Sequence, residues 1–487
     1  MPNTIAENLA RLQAAKTAIA NAITAKGGTV GSGDGLEEFP TDISTISTGG
    51  GGSSNDAVRF MDYDGAVVQS YSATDFANLT ALPANPSHTG LISQGWNWSL
   101  SDAKTYVAEY KNLDIGQMYV TSDGKTRIYI TLTEGRISPI LQLYLNADSE
   151  LDIDWGDGST HSTFNSTSAG YKSERHNYAT DGDYVIAITV VSGGFALQSS
   201  TTNVSSILWN GNNNGNSPDR AYNNSIQKIE IGTGITSIDT YAFYNCYSLQ
   251  SITIPDGVTS IGGNAFYNCY SLSSITIPDG VTSISSNAFS GCYSLSSITI
   301  PNTVTSIGGN AFSSCSSLSS ITIPDSVTRI DGGAFQYCHS LSSITIPDGV
   351  TSIGDRAFGG CSSLSSITIP DGVTSIGGNA FYNCYSLSSI TIPDGVTSIG
   401  GAFYGCYSLS SITIPNTVTT IDGGAFNGCS YMSFIKFEST TPPTVSSSTV
   451  WSNVSTSTKI LVPTGTLETY KTATNYPDPS TYTYEEY

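Results

Sequence analysis

The cysteines of this chain fall at a fixed step. Its nine are Cys246, Cys269, Cys292, Cys315, Cys338, Cys361, Cys384, Cys406 and Cys429; the step is 23 residues, and 22 only between Cys384 and Cys406. The surrounding text repeats with them: FYNCYSLQSITIPDGVTSIGGNA begins at Phe243 and starts again at Phe266. A repeat of this length means a stacked array in which no unit encloses its own core. In SLSSITIP, Ile275 and Ile277 alternate with Ser274 and Thr276, the period of a half-buried strand. Pro278 cannot continue a ladder, and Asp279-Gly280 is turn chemistry. Val281 and Ile284 form a second inward pair in an extended or bent segment. Ala288-Phe289 returns the chain through a helical turn or tight bend. Leu272, Ile275, Ile277, Val281, Ile284, Ala288, Phe289 and Cys292 make the predicted inward set of one coil. Stacking turns each position into a column of like side chains.

An odd number of thiols cannot all pair, and steps of 23 are unlike the close spacing of a metal site. The expectation is a reduced, buried, inert ladder with neither disulfide nor metal. Charge narrows the function. Lys plus Arg is 18 and Asp plus Glu is 39, so the net charge is −21 and the pI about 4.3. That argues against nucleic acid, whose phosphates need Lys and Arg, and against an anionic membrane surface. No apolar run is long enough to span a bilayer, so membrane insertion is not expected.

The form LxxIxIPxxVTxIgxxAFxxC, in about nine copies over roughly residues 226–436, resembles the BspA-like leucine-rich repeats of bacterial surface proteins. The resemblance implies a non-catalytic binding solenoid, and members of that family commonly act as adhesins. The fold class expected is mainly β. A leucine-rich-repeat solenoid would follow a β-grasp-like module, an immunoglobulin-like sandwich of the PKD type and an N-terminal helix.

Near-identical repeats make their differences readable. The residues after Phe and around Cys vary, giving Tyr244, Tyr247, Tyr267, Tyr270, Tyr293, Tyr337, His339, Tyr382, Tyr385, Tyr404 and Tyr407. Their alphabet of Tyr, Ser, Gly and Asn is the one binding loops favour. These residues are the candidate ligand face; the alternative is solvated turns whose rings stack on one another.

Six segments are expected. Residues 1–48 are an attachment or oligomerisation segment, 49–55 a Gly/Ser linker and 56–118 a small α+β module. Residues 119–200 are the sandwich, 201–436 the solenoid with its N-terminal cap, and 437–487 a C-terminal cap with a flexible last stretch, YPDPSTYTYEEY. In the first segment Thr4-x-x-Glu7 is a capping box and Gly27-Gly28 a stop. Ile5, Leu9, Leu12, Ile19 and Ile23 lie at a/d spacing, an oligomerisation seam. ENLARLQAAKTAIANAITAKGGTVGSGDGLEEFPTDIST resembles the N-terminal segment of tail and fibre proteins of phages from gut bacteria, which implies attachment to other virion tail proteins and a homo-oligomer, a trimer. VRFMDYDGAVVQSYS reads as a hairpin, and SDAKTYVAEY as a helix. Trp96 and Trp98 alternate, so one can be core and the other exposed. Asp154-Trp155-Gly156-Asp157-Gly158-Ser159 with His176-x-Tyr178 resembles PKD-type modules, where the turn is structural. The spacing of Asp152, Asp154 and Asp157 fits no calcium loop.

His88, His161, His176 and His339 share no metal spacing, and no hydrolase or phosphate-loop motif occurs. An enzyme and a cofactor are not expected. The function expected is a phage tail fibre or receptor-binding protein in the virion, whose solenoid contacts a bacterial surface protein or glycan. The MPNTIAENLARLQAAK start carries charges where an export signal needs an apolar stretch, which favours release by lysis. The alternatives are an adhesin on the bacterial surface that binds host protein or glycan, and a structural spacer.

Overall fold

The structure is a computed structural model that describes residues 58–61, 67–84, 91–96, 104, 113–121, 123–133, 137–197, 208–209 and 225–487. The predicted N-terminal helix with Ile5, Leu9, Leu12, Ile19 and Ile23, the linker, His88, Trp98 and most of SDAKTYVAEY lie outside the described residues.

Residues 1–122 and 123–487 are two compact units. In the first, β1 (Val58–Met61) and β2 (Val67–Tyr71) form the antiparallel hairpin read from the Asp-Gly turn. Helix α1 (Ala73–Ala77) starts at Ser72, whose side chain accepts the Asp75 N–H. β3 (Leu91–Trp96) and β4 (Leu113–Thr121) complete a sheet of order β2-β1-β4-β3, with β1 and β4 parallel at its centre. Val58, Phe60 and Phe76 are its described core. Because β4 runs to Thr121, the segment MYVTS belongs to this sheet and not to the sandwich expected from residue 119.

The second unit opens as two packed sheets. Its strands are β5 (Thr126–Leu132), β6 (Ile140–Leu145), β7 (Ser149–Asp154), β8 (Ser162–Ser166), β9 (Gly170–Arg175), β10 (Gly182–Ser192), β11 (Phe195–Ala196), β12 (Leu208–Trp209) and β13 (Ile226–Glu230). Alternation fixes their inner faces: in TRIYITL the residues Ile128, Ile130 and Leu132 are buried while their neighbours are half-buried. The sandwich does not end before the repeats. β13 pairs antiparallel with β5 and parallel with Ser251–Thr253, the first regular repeat strand. Leu197 bridges Ile238 in the other repeat ladder. The sandwich is therefore the N-terminal cap of the solenoid, and one buried core runs through both. The expected cap residues Ile226, Ile229, Ile231, Ile235 and Ile238 are all buried beneath it.

Each coil then contributes two short strands. The longer SIT strand pairs in separate groups, such as Ser274–Thr276 with Ser297–Thr299. The unbroken ladder is the second one: ten parallel strands from Ser237–Ile238 to Thr444–Val445. The Val/Ile segment that sequence left as extended or bent is thus the continuous spine. The predicted inward set is wholly buried, from Leu272 to Cys292, and so is its equivalent in every coil. Outward hydroxyls are anchored to the neighbouring coil: Ser296 donates to the Ser273 carbonyl and Thr305 to that of Thr282.

Two columns form the dry centre. Phe243 to Phe426 stack in succession at ring-centroid distances of 5.2–5.9 Å, and Trp451 closes the column at 5.5 Å. All nine cysteines are free and buried. Cys269 and the seven after it each donate the thiol hydrogen to the Phe carbonyl of the preceding coil, at 3.1–3.3 Å. A buried thiol is thereby satisfied without an ionised partner.

At the far end Lys459–Val462 and Thr483–Glu486 add two more parallel rungs. Between them α2 (Leu467–Lys471) buries Tyr470. The tail expected to be flexible is instead ordered. The Tyr476, Tyr482, Tyr484 and Tyr487 hydroxyls donate to the carbonyls of Pro443, Val454, Pro477 and Phe437. A Tyr-rich, Pro-punctuated segment can end a solenoid because each ring covers apolar surface while its hydroxyl finds a carbonyl.

Candidate recognition surface

The variable positions are built on a backbone constraint. Counting from each Phe, the residues two before and two after it have positive φ in every coil from Phe243 to Phe426. Before Phe they are Tyr241, Asn264, Asn287, Asn310, Gly333, Arg356, Asn379, Gly401 and Gly424; after it, Asn245, Asn268, Gly291, Ser314, Tyr337, Gly360, Asn383, Gly405 and Gly428. Gly and Asn tolerate this left-handed conformation best. The Asn and Gly of the variable alphabet thus have a conformational cause. They shape the turn, and the Asn268 amide donates to the Asn245 side-chain oxygen at 3.0 Å.

The candidate rings sort into two stacked columns and one exception. One residue after Phe, Tyr244 stacks on Tyr267 at 5.1 Å and Tyr382 on Tyr404 at 5.2 Å. Four residues after Phe, Tyr247, Tyr270 and Tyr293 stack in turn at 4.7 Å, and Tyr385 stacks on Tyr407 at 5.1 Å, inclined by 4°. Burial raises the Tyr270 phenol, helped by Tyr247 and Tyr293, and raises Tyr385, helped by Tyr407. Tyr270 and Tyr385 of the second column therefore present neutral hydroxyls at physiological pH. Between the two groups the second column continues as Ser316, His339 and Ser362, so the tyrosines form two patches. Tyr337 belongs to neither column: it takes a left-handed position and packs over Gly360, where an added Cβ would lie 2.5 Å from its ring. His339 Nδ1 lies 2.9 Å from the Gly360 carbonyl oxygen.

Tyr293, Tyr337, Tyr385, Tyr404 and Tyr407 are exposed, while Tyr244, Tyr247, Tyr267, Tyr270 and Tyr382 are half-buried. Sequence reasoning missed Tyr431, at 76% the most exposed large apolar or aromatic residue among those described. It sits in the degenerate last copy, CSYMSF, at a position that is Ser in the earlier coils. That departure was the available signal.

Residues 219–342 and 330–455 match the model described as the BspA type leucine rich repeat region, in six copies. Over its solenoid the chain is similar to the BspA-type leucine-rich repeat family. No curated protein matches the sequence. Among solved structures, the BspA-type coils are similar to a leucine rich cell surface protein from Faecalibacterium prausnitzii (31% identity over 49% of this chain and 79% of that one, TM-score 0.33). They are also similar to the T. pallidum leucine rich repeat protein (27% identity, 45% and 86%, TM-score 0.32) and to a leucine-rich repeat protein from Bacteroides ovatus (24%, 54% and 84%, TM-score 0.38). These TM-scores are too low to say anything of function.

The sandwich that caps the BspA-type coils uses its polar residues structurally. His176 stacks on Trp155 at 4.5 Å and bonds Asp157 at 2.8 Å, and Tyr178 donates to the Trp155 carbonyl. Burial works to raise the Asp157 carboxyl, but hydrogen bonds from Ser159 and His176 outweigh it and hold the group down at about 2. Asp152 faces His161, 2.9 Å from Nδ1. Among the described residues no group of three or more His, Cys, Asp or Glu is placed to hold a metal ion.

Proposed function

We propose that this chain is a non-catalytic recognition protein of the bacterial cell surface, and that it adheres to a host protein or glycan through the tyrosine patches of its solenoid. The observation that carries this reading is the paired stacking of Tyr385 on Tyr407 and of Tyr247, Tyr270 and Tyr293. Each stacked pair contributes about 0.5–1.5 kcal/mol, so the rings are held in place before any partner arrives. A rigid ring with one polar tip gives large contact area at low entropic cost. The BspA-type family supports the reading, since its members commonly serve as adhesins.

A second reading rests on the N-terminal resemblance. A phage tail fibre would use the same patches against a bacterial envelope, join virion tail proteins through residues 1–48, and assemble as a trimer through Ile5, Leu9, Leu12, Ile19 and Ile23.

One experiment separates the readings. The full chain is immobilised and offered bacterial cells or soluble host matrix protein and glycan. Capture of host material supports the adhesin; capture of bacterial cells supports the fibre. Changing Tyr267, Tyr270, Tyr382 and Tyr385 together to Ser should lower capture at least tenfold while the far-UV spectrum is unchanged. Undiminished capture by the folded variant would remove the tyrosine patches from the account.

A further inference from the structure

Residues 231–430 contain ten Asp and only two basic side chains, Arg329 and Arg356. Of the six basic residues in 225–487, five are ion-paired. Lys228 meets Glu230 at 2.8 Å, Lys436 meets Glu438 at 3.8 Å, Lys459 meets Glu485 at 2.9 Å and Lys471 meets Glu468 at 3.1 Å, while Arg329 meets Asp331. Arg356 is exposed and is the one among these described residues with no carboxylate within reach. Adjacent Asp355 makes no ion pair with it, and one oxygen of that carboxylate accepts the Gly378 N–H at 2.7 Å.

Arg356 lines a cleft of about 330 Å³. In the column two residues before Phe, Asn310 is followed by Gly333, then Arg356, then Asn379. Gly333 interrupts the run of Asn in this column, and the Asn310 side chain leans over it into the space that a Cβ there would take. Gln336 and Asp355 complete the polar walls of the cleft, with no apolar side chain among the lining residues. Arg356 also holds a left-handed backbone conformation that Asn fills in four other coils.

We infer that this cleft binds an acidic saccharide, one sugar unit bearing a carboxylate. The Arg356 guanidinium takes the carboxylate through two parallel N–H···O bonds. The amides of Asn310, Gln336 and Asn379 donate to and accept from ring hydroxyls. The volume is at the lower end for a small-molecule site and suits one or two sugar units. A peptide held by strand addition or by apolar side chains is disfavoured, since those modes need an open sheet edge or apolar pockets, and neither lines this cleft. The site extends the recognition reading by naming a ligand class at a place apart from the tyrosine patches.

The test is saturation-transfer NMR and titration calorimetry on the full chain with trigalacturonate, maltotriose and triglutamate as probes. Saturable binding of trigalacturonate is expected, at least tenfold tighter than either of the others. R356N should weaken it at least tenfold, and because Asn is native to this column the variant should melt no lower than the parent. G333N, whose side chain displaces that of Asn310 from the cleft wall, should also abolish binding. Absence of trigalacturonate binding, equal affinity for R356N, or triglutamate bound as tightly would each overturn the inference. None of these results bears on capture by the tyrosine patches, so the two proposals fail separately.

Discussion

As the pH rises above 9 the solenoid is expected to become progressively less stable. The cause is the thiol column. Burial raises Cys269, Cys292, Cys315, Cys338, Cys361, Cys384, Cys406 and Cys429 above their ordinary value of 9.0, with Cys361 and Cys429 pushed up to about 12. The unfolded chain releases these protons as the pH passes 9; the folded chain keeps them to higher pH. Above pH 9 the unfolded state binds fewer protons, so stability present below 9 falls as the pH rises. A single thiol whose proton is held throughout contributes about 1 kcal/mol of this loss between pH 9 and 10, and the eight act in the same direction. Tyr phenols raised by burial, ordinarily at 10.0, add to the loss as the pH approaches 10, so the thiols are read from the part of the slope nearest pH 9. Denaturant unfolding at a series of pH values, under a phosphine reductant, measures the slope. Stability that stays level from pH 9 to 10 would mean the thiols ionise as freely in the fold as out of it.

Phe335→Ala should cost about 3–5 kcal/mol. Phe335 is fully buried and stacks on Phe312 at 5.5 Å and Phe358 at 5.6 Å, so truncation removes its transfer free energy, leaves a void and interrupts the column on both sides. In a solenoid each coil is stabilised mainly by its neighbours, so the damage falls at the centre of the array. Hydrogen exchange should speed most in the coils around 312–358 and least near the two caps. Tyr385→Ala is the matched control: a ring stacked on one neighbour but 41% exposed, expected to cost about 1 kcal/mol. Equal costs for the two changes would show that the inner column does not dominate the packing.

What sequence made legible was whatever repeats. The 23-residue step and the alternation in SITIP located every buried Leu, Ile, Val, Ala, Phe and Cys of a coil, because one inward pattern copied nine times leaves little freedom. Three things were not legible, each for a physical reason. The pairing of Thr126–Leu132 with Ile226–Glu230 joins strands about a hundred residues apart, and no local signal announces it. The ordered end depends on Tyr hydroxyls reaching carbonyls elsewhere in the cap, which composition alone presented as a polar tail. The Asn and Gly near Cys looked like ligand chemistry until their positive φ gave them a backbone role; their fixed places two residues either side of Phe were the clue. Arg356 stayed invisible for a related reason: whether a cation is paired depends on geometry, and Asp355 beside it suggests a partner that the fold directs to Gly378 instead.

The account depends above all on stacked coils sealing one water-free interior. Its most direct measurement is a count of thiols that react with Ellman's reagent at neutral pH, made on the folded chain and again in guanidinium. The account predicts none in the first case and nine in the second, with reaction in native buffer slowed by a factor on the order of 10³ or more, because each thiol is reached only through opening of the coil. Prompt reaction of several cysteines in the folded chain would contradict it.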